Sequence, residues 1–189
     1  MLLPIRGNAN KCDRHIINNT LMINMSKLLR YPKISDIYFI TCVTHNRIPI
    51  LHKNYSLLVK AFFAVRRRKS IKLLAWIVLP DHFHCLVDSK NNSISDILQQ
   101  FKMSFGALYR GAFKVKKGNV WQKRFWDHMI RNQEDYNRHM DYIHYNPVKH
   151  GLCKNPFHWP YSSLNLYSDC YPNDWGVDKS LTFEKEFGE

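Results

Sequence analysis

The chain has 189 residues, of which 45% are hydrophobic, a proportion that supports a single domain with a substantial core. Its 28 Lys and Arg residues outnumber 15 Asp and Glu, and the formal charge of +13 favours a polyanionic partner such as nucleic acid. No apolar run approaches the roughly 20 residues of a membrane span, and the N-terminal segment lacks the apolar stretch of a signal peptide. We therefore expect a cytoplasmic protein with no membrane contact.

The cysteines are odd in number and widely separated, and none of them forms a Cys-x-x-Cys pair. This spacing argues against a zinc knuckle and against a disulfide framework, and favours reduced thiols. The five residues are Cys12, Cys42, Cys85, Cys153 and Cys170.

The first half of the chain predicts three strands and one helix. Residues 1–35 are expected to form a weakly ordered extension, and the β-branched and aromatic residues of 36–44 predict a strand. Apolar residues at helical spacing predict a helix over 55–69, which ends in a cationic turn. Residues 71–80 and 82–88 predict two neighbouring strands of a hairpin, separated by a Pro-Asp break.

The second half predicts two helices and an extended segment between them. Apolar residues at three- and four-residue steps predict an amphipathic helix over 93–113, with Ser93 or Ser95 as its N-cap. Residues 120–130 alternate well enough to predict a strand or extended segment. The last helix is expected to begin after Asn132 and to end at the Pro and Gly of "NPVKHG".

This order of elements, β-α-β-β-α-β followed by a helix, predicts an α+β fold of the ferredoxin-like, split βαβ type. In that arrangement an antiparallel sheet carries helices on one face. The other face is expected to remain open for a ligand.

The stretch "LPDHFHCLVD" contains two histidines that we expect to project from the same side of a strand. His82 and His84 are two residues apart, so their side chains share one face, while Phe83 and Cys85 occupy the other. A His-x-His pair has two interpretations, a metal site or two strand-end histidines with no ligand. The adjacent Asp81 favours the metal site.

A second polar pair lies on the last predicted helix. Tyr142 and Asn146 are four residues apart and share a helix face. Tyr142 is either a half-buried aromatic residue whose hydroxyl binds a carbonyl, or a nucleophile that attacks a DNA phosphate beside a divalent metal. Two imidazoles and one amide oxygen would leave coordination positions open and would suit Mg²⁺ or Mn²⁺.

Basic and aromatic residues occur together in the predicted loops and helix ends. Lysines and arginines are candidates for phosphate contacts, and Trp121, Phe125 and Trp126 are candidates for stacking on unpaired bases. The alternative is that the aromatic rings pack in the core and the charges are only solvated. The basic candidates are Arg66, Arg67, Arg68, Lys69, Lys114, Lys116, Lys117, Lys123, Arg124, Arg131 and Lys149.

Three separated blocks resemble the REP-associated tyrosine transposases, which are single-tyrosine members of the His-hydrophobic-His (HUH) superfamily. The blocks are "WIVLPDHFHCLVD", "VWQKRFWDHMIRNQEDYNRHMDYIHYNPVKHGL" and "WPYSS", and the resemblance extends from about residue 38 to 175. It implies that His82 and His84 bind a metal, Mg²⁺ or Mn²⁺, and that Tyr142 is the nucleophile. Asn146 matches the third ligand, although the proline after it disfavours ideal helical geometry.

Two other tyrosines are rivals of Tyr142 on chemical grounds. Tyr136 belongs to an apolar stripe of the helix, and Tyr145 has Lys149 rather than a metal ligand one turn later. Tyr142 is therefore the predicted nucleophile.

The resemblance also implies a substrate and a domain organisation. The substrate would be single-stranded DNA folded into hairpins of repetitive extragenic palindromes, cleaved and transferred through a covalent 5′-phosphotyrosine. Residues 36–152 would form the catalytic domain, and residues 153–189 a tail packed on or near the active site. The protein would be bacterial and nucleoid-associated, and a monomer or a homodimer.

Two other functions fit the same residues. One is a non-catalytic, domesticated protein that binds DNA hairpins and regulates or organises the repeats. The other is a structural zinc or phosphoesterase-type His-x-His protein, whose function would not depend on Tyr142.

Overall fold

A computed structural model describes residues 36–177 together with Leu181, Phe183 and Phe187, so the predicted extension over 1–35 lies outside the described residues. Among them, no helix combines the length and apolar character needed to cross a membrane. The strands are β1 (Ile37–Val43), β2 (Lys72–Val78), β3 (His82–Asp88) and β4 (Trp126–Met129). The α-helices are α1 (Tyr55–Arg66), α2 (Ile94–Phe113) and α3 (Gln133–Lys149). Short 3₁₀ turns span His45–Arg47, His52–Asn54, Pro156–His158 and Leu164–Cys170.

The four strands form one antiparallel sheet in the order β2-β3-β1-β4. This order confirms the predicted ferredoxin-like, α+β fold, because β1 and β2 are separated by β3 as in a split βαβ unit. Of residues 120–130, predicted to form a strand or an extended segment, Trp126–Met129 form β4. The first part of the segment stays beside the end of β1 through an isolated antiparallel bridge between Thr44 and Trp121, while the Trp121 ring packs in the core against Phe83 and Phe105.

One face of the sheet is covered by α1 and α2. Alternate residues of β3, including Phe83, Cys85 and Val87, join the apolar faces of both helices in a single core cluster. The Ser93 side chain accepts a hydrogen bond from the backbone amide of Asp96 at 3.4 Å, which identifies Ser93 as the N-cap of α2.

The other face of the sheet is covered by α3, so the expectation of an open face is wrong. The apolar stripe of α3, formed by Tyr136, Met140 and Ile143, packs with Phe39 and Phe187 against this face. An apolar sheet surface is stabilised by burial, and the stripe of α3 has the complementary character. Any ligand on this face must therefore bind between the sheet and α3.

The ends of α3 are set by local chemistry. The side chain of Asn132 accepts a hydrogen bond from the backbone amide of Asp135 at 2.9 Å, which confirms the predicted N-cap. Pro147 is accommodated inside the helix, which ends at Lys149, between the Pro and the Gly at which the sequence predicted its end. The helix stops where Gly151 adopts a left-handed φ of 66°.

The residues after α3 protect the free edge of β2. The amide of Val78 donates to the carbonyl of Tyr161 at 2.8 Å, and the amide of Ser163 donates to the carbonyl of Trp76 at 2.9 Å. These bonds occupy an edge that would otherwise be available to another chain. The buried His144 ring links α3 to the same segment through Ser163 Oγ, at 2.9 Å from its Nε2.

Candidate active site

The two histidines of β3 project side by side toward α3. His82 is 2% exposed and His84 is fully buried, and their ring centroids are 5.0 Å apart. Their shared side follows from the alternation of a β-strand, as the sequence predicted.

The orientation and the tautomer of His84 are set by β1. Thr41 Oγ1 donates its hydrogen to the carbonyl of Phe187 at 3.0 Å, so it accepts a hydrogen bond from His84 Nδ1 at 2.8 Å. Because Nδ1 carries the proton, the lone pair of the neutral ring is on Nε2. A histidine whose second nitrogen is held by a hydrogen bond in this way is typical of a metal ligand.

His82 is held by a carboxylate. Its Nδ1 donates to Asp81 Oδ1 at 2.7 Å, and Arg47 Nη1 donates to Asp81 Oδ2 at 3.0 Å. Burial tends to raise the pKa of Asp81, but the hydrogen bonds and charges of His82 and Arg47 outweigh it and hold the pKa at about 2. Asp81 is therefore an anion that fixes the proton of His82 on Nδ1 and places the lone pair on Nε2.

Two residues of α3 and the residue that caps its C-terminus, spaced four residues apart, lie on the side of this histidine pair. The ring of Tyr142 lies 5.3 Å from that of His84, and the ring of His150 lies 5.1 Å from that of His82. Asn146 lies between Tyr142 and His150 along the helix. The structure thus places Tyr142 beside His84 and His150 beside His82, with Asn146 between them in the chain.

Asn146 provides a test of whether these residues suit a metal. It is fully buried, and neither Oδ1 nor Nδ2 of its side chain has a hydrogen-bond partner among the described residues. A buried polar group without a partner costs about 1–3 kcal/mol, so an unsatisfied amide in this position calls for a bound ligand. The amide oxygen and the Nε2 atoms of the two imidazoles are the kinds of donor that suit a divalent cation.

Tyr142 is covered on both sides. It is 1% exposed, and the ring of Phe187 stacks on it with centroids 3.8 Å apart and an interplanar angle of 9°. Lys149 Nζ donates a hydrogen bond to the Tyr142 hydroxyl at 3.0 Å. The rival tyrosines lie elsewhere: Tyr136 packs in the apolar stripe, and Tyr145 belongs to a separate cluster with Trp175.

A second group of potential metal-binding atoms lies nearby on the same sheet face. His128, Asp135 and His139 bring such atoms within 4.8 Å of one another. Asp135 already accepts hydrogen bonds from His128 Nε2 at 2.8 Å and from the backbone amide of Arg131 at 2.9 Å. The two imidazole rings are nearly parallel, at 13°, so their in-plane lone pairs do not converge on one ion. We interpret this group as a hydrogen-bond network that joins β4 to α3.

The predicted DNA-binding residues separate into two groups. All the basic candidates are exposed except Lys69, which is partly buried. Its Nζ lies 4.0 Å from Asp96 Oδ2. Trp121 is 8% exposed and packs in the core, which favours a structural role for this ring over stacking on unpaired bases. Phe125 and Trp126 are partly buried, and Trp126 contacts Phe39 edge-on.

Several residues of the site were not assigned a role from the sequence. Thr41 contacts His84, which lies 43 residues later in the chain. Phe187 contacts Tyr142, which lies 45 residues earlier. Such long-range pairs leave no periodic signal in the chain. The sequence offered one signal for a role of His150 in the site: it follows Tyr142 by eight residues, a spacing that returns to the same side of a helix.

A ferredoxin-like sheet with a His-Phe-His strand beneath a helix that carries a buried tyrosine agrees with the class of tyrosine transposases found among known proteins. The family model described as "Transposase IS200 like" matches residues 34–146. A REP-associated tyrosine transposase of Escherichia coli (strain K12) is 36% identical over 159 residues, which are 82% of this chain and 93% of that protein. The chain belongs to the IS200-like transposase family, which is an enzyme family that is generally metal-dependent.

Two further relatives agree with this assignment. A protein of Haemophilus influenzae is 32% identical over 158 residues, which are 77% of this chain and 90% of that protein. The solved structure of a REP-associated tyrosine transposase bound to a REP hairpin is 34% identical and has a TM-score of 0.70. The match covers 85% of this chain and 94% of the chain in that solved structure.

Proposed function

We propose that this transposase cleaves and rejoins single-stranded DNA hairpins of repetitive extragenic palindromes, with Tyr142 as the nucleophile. The observation that carries the proposal is the contact of the Tyr142 ring with His84, one helical turn from the unsatisfied amide of Asn146. The choice of substrate is supported by the relative that was solved with a REP hairpin. It is also supported by the net charge of +13.

The metal of the reaction would be held by His82, His84 and Asn146. When bound, Mg²⁺ or Mn²⁺ would supply polarisation of a phosphoryl oxygen, which makes the phosphorus more electrophilic. Thr41 and Asp81 hold the two imidazoles in the tautomer that such binding needs.

The reaction at Tyr142 is a phosphoryl transfer. The tyrosine oxygen forms a bond to phosphorus, and the bond from phosphorus to the 3′ oxygen breaks. The phenol proton passes to water, and the departing 3′ oxygen takes a proton from water and becomes a 3′-hydroxyl. The product is a covalent 5′-phosphotyrosine, which a 3′-hydroxyl of another strand can attack to complete strand transfer.

We propose that the region 153–189 acts as a tail that controls access to this tyrosine. Phe187 stacks on Tyr142, and its backbone carbonyl accepts the hydrogen bond from Thr41. Opening of this contact would give a DNA phosphate more room at the tyrosine. Phe183 contacts Tyr142 as well, with ring centroids 5.3 Å apart.

The test is incubation of the protein with Mg²⁺ and a labelled single-stranded REP hairpin, followed by denaturing electrophoresis. A covalent protein–DNA adduct is expected for the wild type and should be absent for Tyr142→Phe, because phenylalanine lacks the attacking oxygen. Tyr145→Phe is the matched control and should form the adduct normally.

Other outcomes would change the proposal. An adduct with Tyr142→Phe would show that the nucleophile is wrongly assigned. Hairpin binding by the wild type with no adduct under any metal would support the non-catalytic hairpin-binding function instead. Absence of hairpin binding at low salt would favour the structural metal protein.

A further inference from the structure

Lys149 lies two turns after Tyr142 on α3, and it contacts the oxygen that reacts. A separation of seven residues returns to nearly the same side of an α-helix. Lys149 Nζ donates to the Tyr142 hydroxyl at 3.0 Å and lies 4.7 Å from the centroid of its ring. Lys149 is an exposed residue, whereas Tyr142 is 1% exposed, so the ammonium reaches inward to a buried hydroxyl.

We propose that Lys149 is a catalytic residue that stabilises the negative charge on the Tyr142 oxygen during DNA cleavage and rejoining. This inference rests on the proposed function, because it assumes that Tyr142 is the nucleophile. It differs from a phosphate contact, which is the role that the sequence pattern alone indicates for a lysine in a basic protein.

The chemistry of the step requires such a group. As the bond from the Tyr142 oxygen to phosphorus forms, the phenol proton is lost to water and the oxygen is transiently negative. In the reverse step the same oxygen leaves from phosphorus with the electron pair of the bond. An ammonium ion already within hydrogen-bond distance stabilises that charge in both directions without reorganisation.

The surroundings of the hydroxyl make the ammonium more effective. The tyrosine ring packs edge-on against Phe39 of β1, which shields it on the sheet side and does not depend on the tail. A charge interaction is stronger in a poorly hydrated environment than in bulk water. Lys149 is therefore placed where one positive charge has a large effect on the reaction.

The position of Lys149 is fixed by the end of α3. Pro147 is buried inside the helix, and the amide of Gly151 donates to the carbonyl of Val148 at 2.9 Å. The next residue, His150, lies beside His82. The same helix end thus positions the ammonium at the tyrosine oxygen and an imidazole at the metal-binding pair.

The test compares Lys149→Met, which keeps an unbranched side chain one atom shorter and removes the charge, with Lys149→Arg, which keeps the charge. The matched control is Lys154→Met, which removes the same charge from an exposed position beyond α3. Two quantities are measured for each variant. One is the Kd for the hairpin in metal-free buffer, and the other is the rate of adduct formation at saturating protein with Mg²⁺.

Lys149→Met should lower the rate of adduct formation by about 10²- to 10³-fold, as expected for loss of one group that stabilises a developing oxyanion. Its Kd should change by less than about threefold, since the loss of one phosphate contact is not the main effect. Lys149→Arg should recover at least a tenth of the wild-type rate, and Lys154→Met should resemble the wild type in both quantities.

Two results would overturn the inference. A normal rate for Lys149→Met at saturating protein, with a weaker Kd, would show that Lys149 only binds DNA. An equal loss of rate in Lys149→Arg and Lys149→Met would show that the charge is not what matters. If the wild type itself forms no adduct, the proposed function fails and this inference fails with it. If the wild type forms the adduct and Lys149→Met keeps its rate, only this inference fails.

Discussion

The two faces of the sheet are built from the same strands and both bury apolar residues, but β3 also buries two histidines on the face toward α3. Toward α1 and α2, β3 contributes Phe83, Cys85 and Val87 to an apolar core. Toward α3, the same strand contributes His82 and His84, which are as deeply buried as their apolar neighbours. Burial of polar groups is costly unless each is satisfied, so two buried histidines on the face toward α3 agree with the chemistry proposed for that face.

The comparison predicts that neighbouring residues of β3 have separable effects. Phe83→Ala should lower the free energy of unfolding by about 3–5 kcal/mol, because it leaves a cavity beside Phe101 and Trp121. The rate of adduct formation per folded molecule should remain near that of the wild type. Urea unfolding measures the first quantity and the covalent-adduct assay the second.

His84→Gln is the counterpart on the other face. It should abolish adduct formation while changing the free energy of unfolding by less than about 1.5 kcal/mol, the value of one hydrogen bond. If both substitutions had the same pattern of effects, the division of roles between the faces would be refuted.

A second prediction concerns the acid stability of the α3 face. Burial lowers the pKa of His139 from 6.5 to about 4, although Asp135 acts in the opposite direction. Between these values the unfolded chain binds a proton that the folded protein does not. Stability should therefore fall as the pH decreases from about 6.5 to 4, by up to about 1.4 kcal/mol per pH unit for this group.

The measurement is urea unfolding of the wild type and His139→Leu between pH 7.5 and 4.5. The free energy of unfolding of the variant should fall less steeply with decreasing pH, and the slope should correspond to about one proton fewer taken up on unfolding. His144, with a pKa of about 3, still contributes to the slope in both proteins. His158→Leu, at an exposed position, is the control and should keep the wild-type slope. An unchanged slope in His139→Leu would contradict the prediction.

The smallest expected effect concerns the covering of the active site. Phe187→Ala removes a stacked ring from Tyr142, and such aromatic pairs contribute about 0.5–1.5 kcal/mol. If opening of this contact limits the reaction, adduct formation should be about 2- to 10-fold faster. Phe113→Ala, at an exposed position on α2, should have no effect. A slower reaction in Phe187→Ala would mean that Phe187 supports the active conformation rather than restricting access.

The elements were predictable where local periodicity decides them. The strand at Ile37–Val43, the helix capped by Ser93 and the helix capped by Asn132 all agree closely with their sequence patterns. Of the strand or extended segment predicted over 120–130, only Trp126–Met129 form a strand, and Trp121 makes an isolated bridge to Thr44 with its ring in a core that the local pattern does not specify. The sheet face predicted to be open is covered, because the apolar stripe of α3 had no partner assigned to it.

For the active site, the repeat of a strand was enough to put His82 and His84 on one side, and the repeat of a helix was enough to pair Tyr142 with Asn146. That these two pairs face each other was decided only by the packing of α3 on the sheet. The same packing decided the tautomer of His84, the stacking of Phe187 and the contact of Lys149 with the tyrosine. The physical reason is range: backbone periodicity acts over a few residues, whereas these contacts depend on how separate elements share one buried volume.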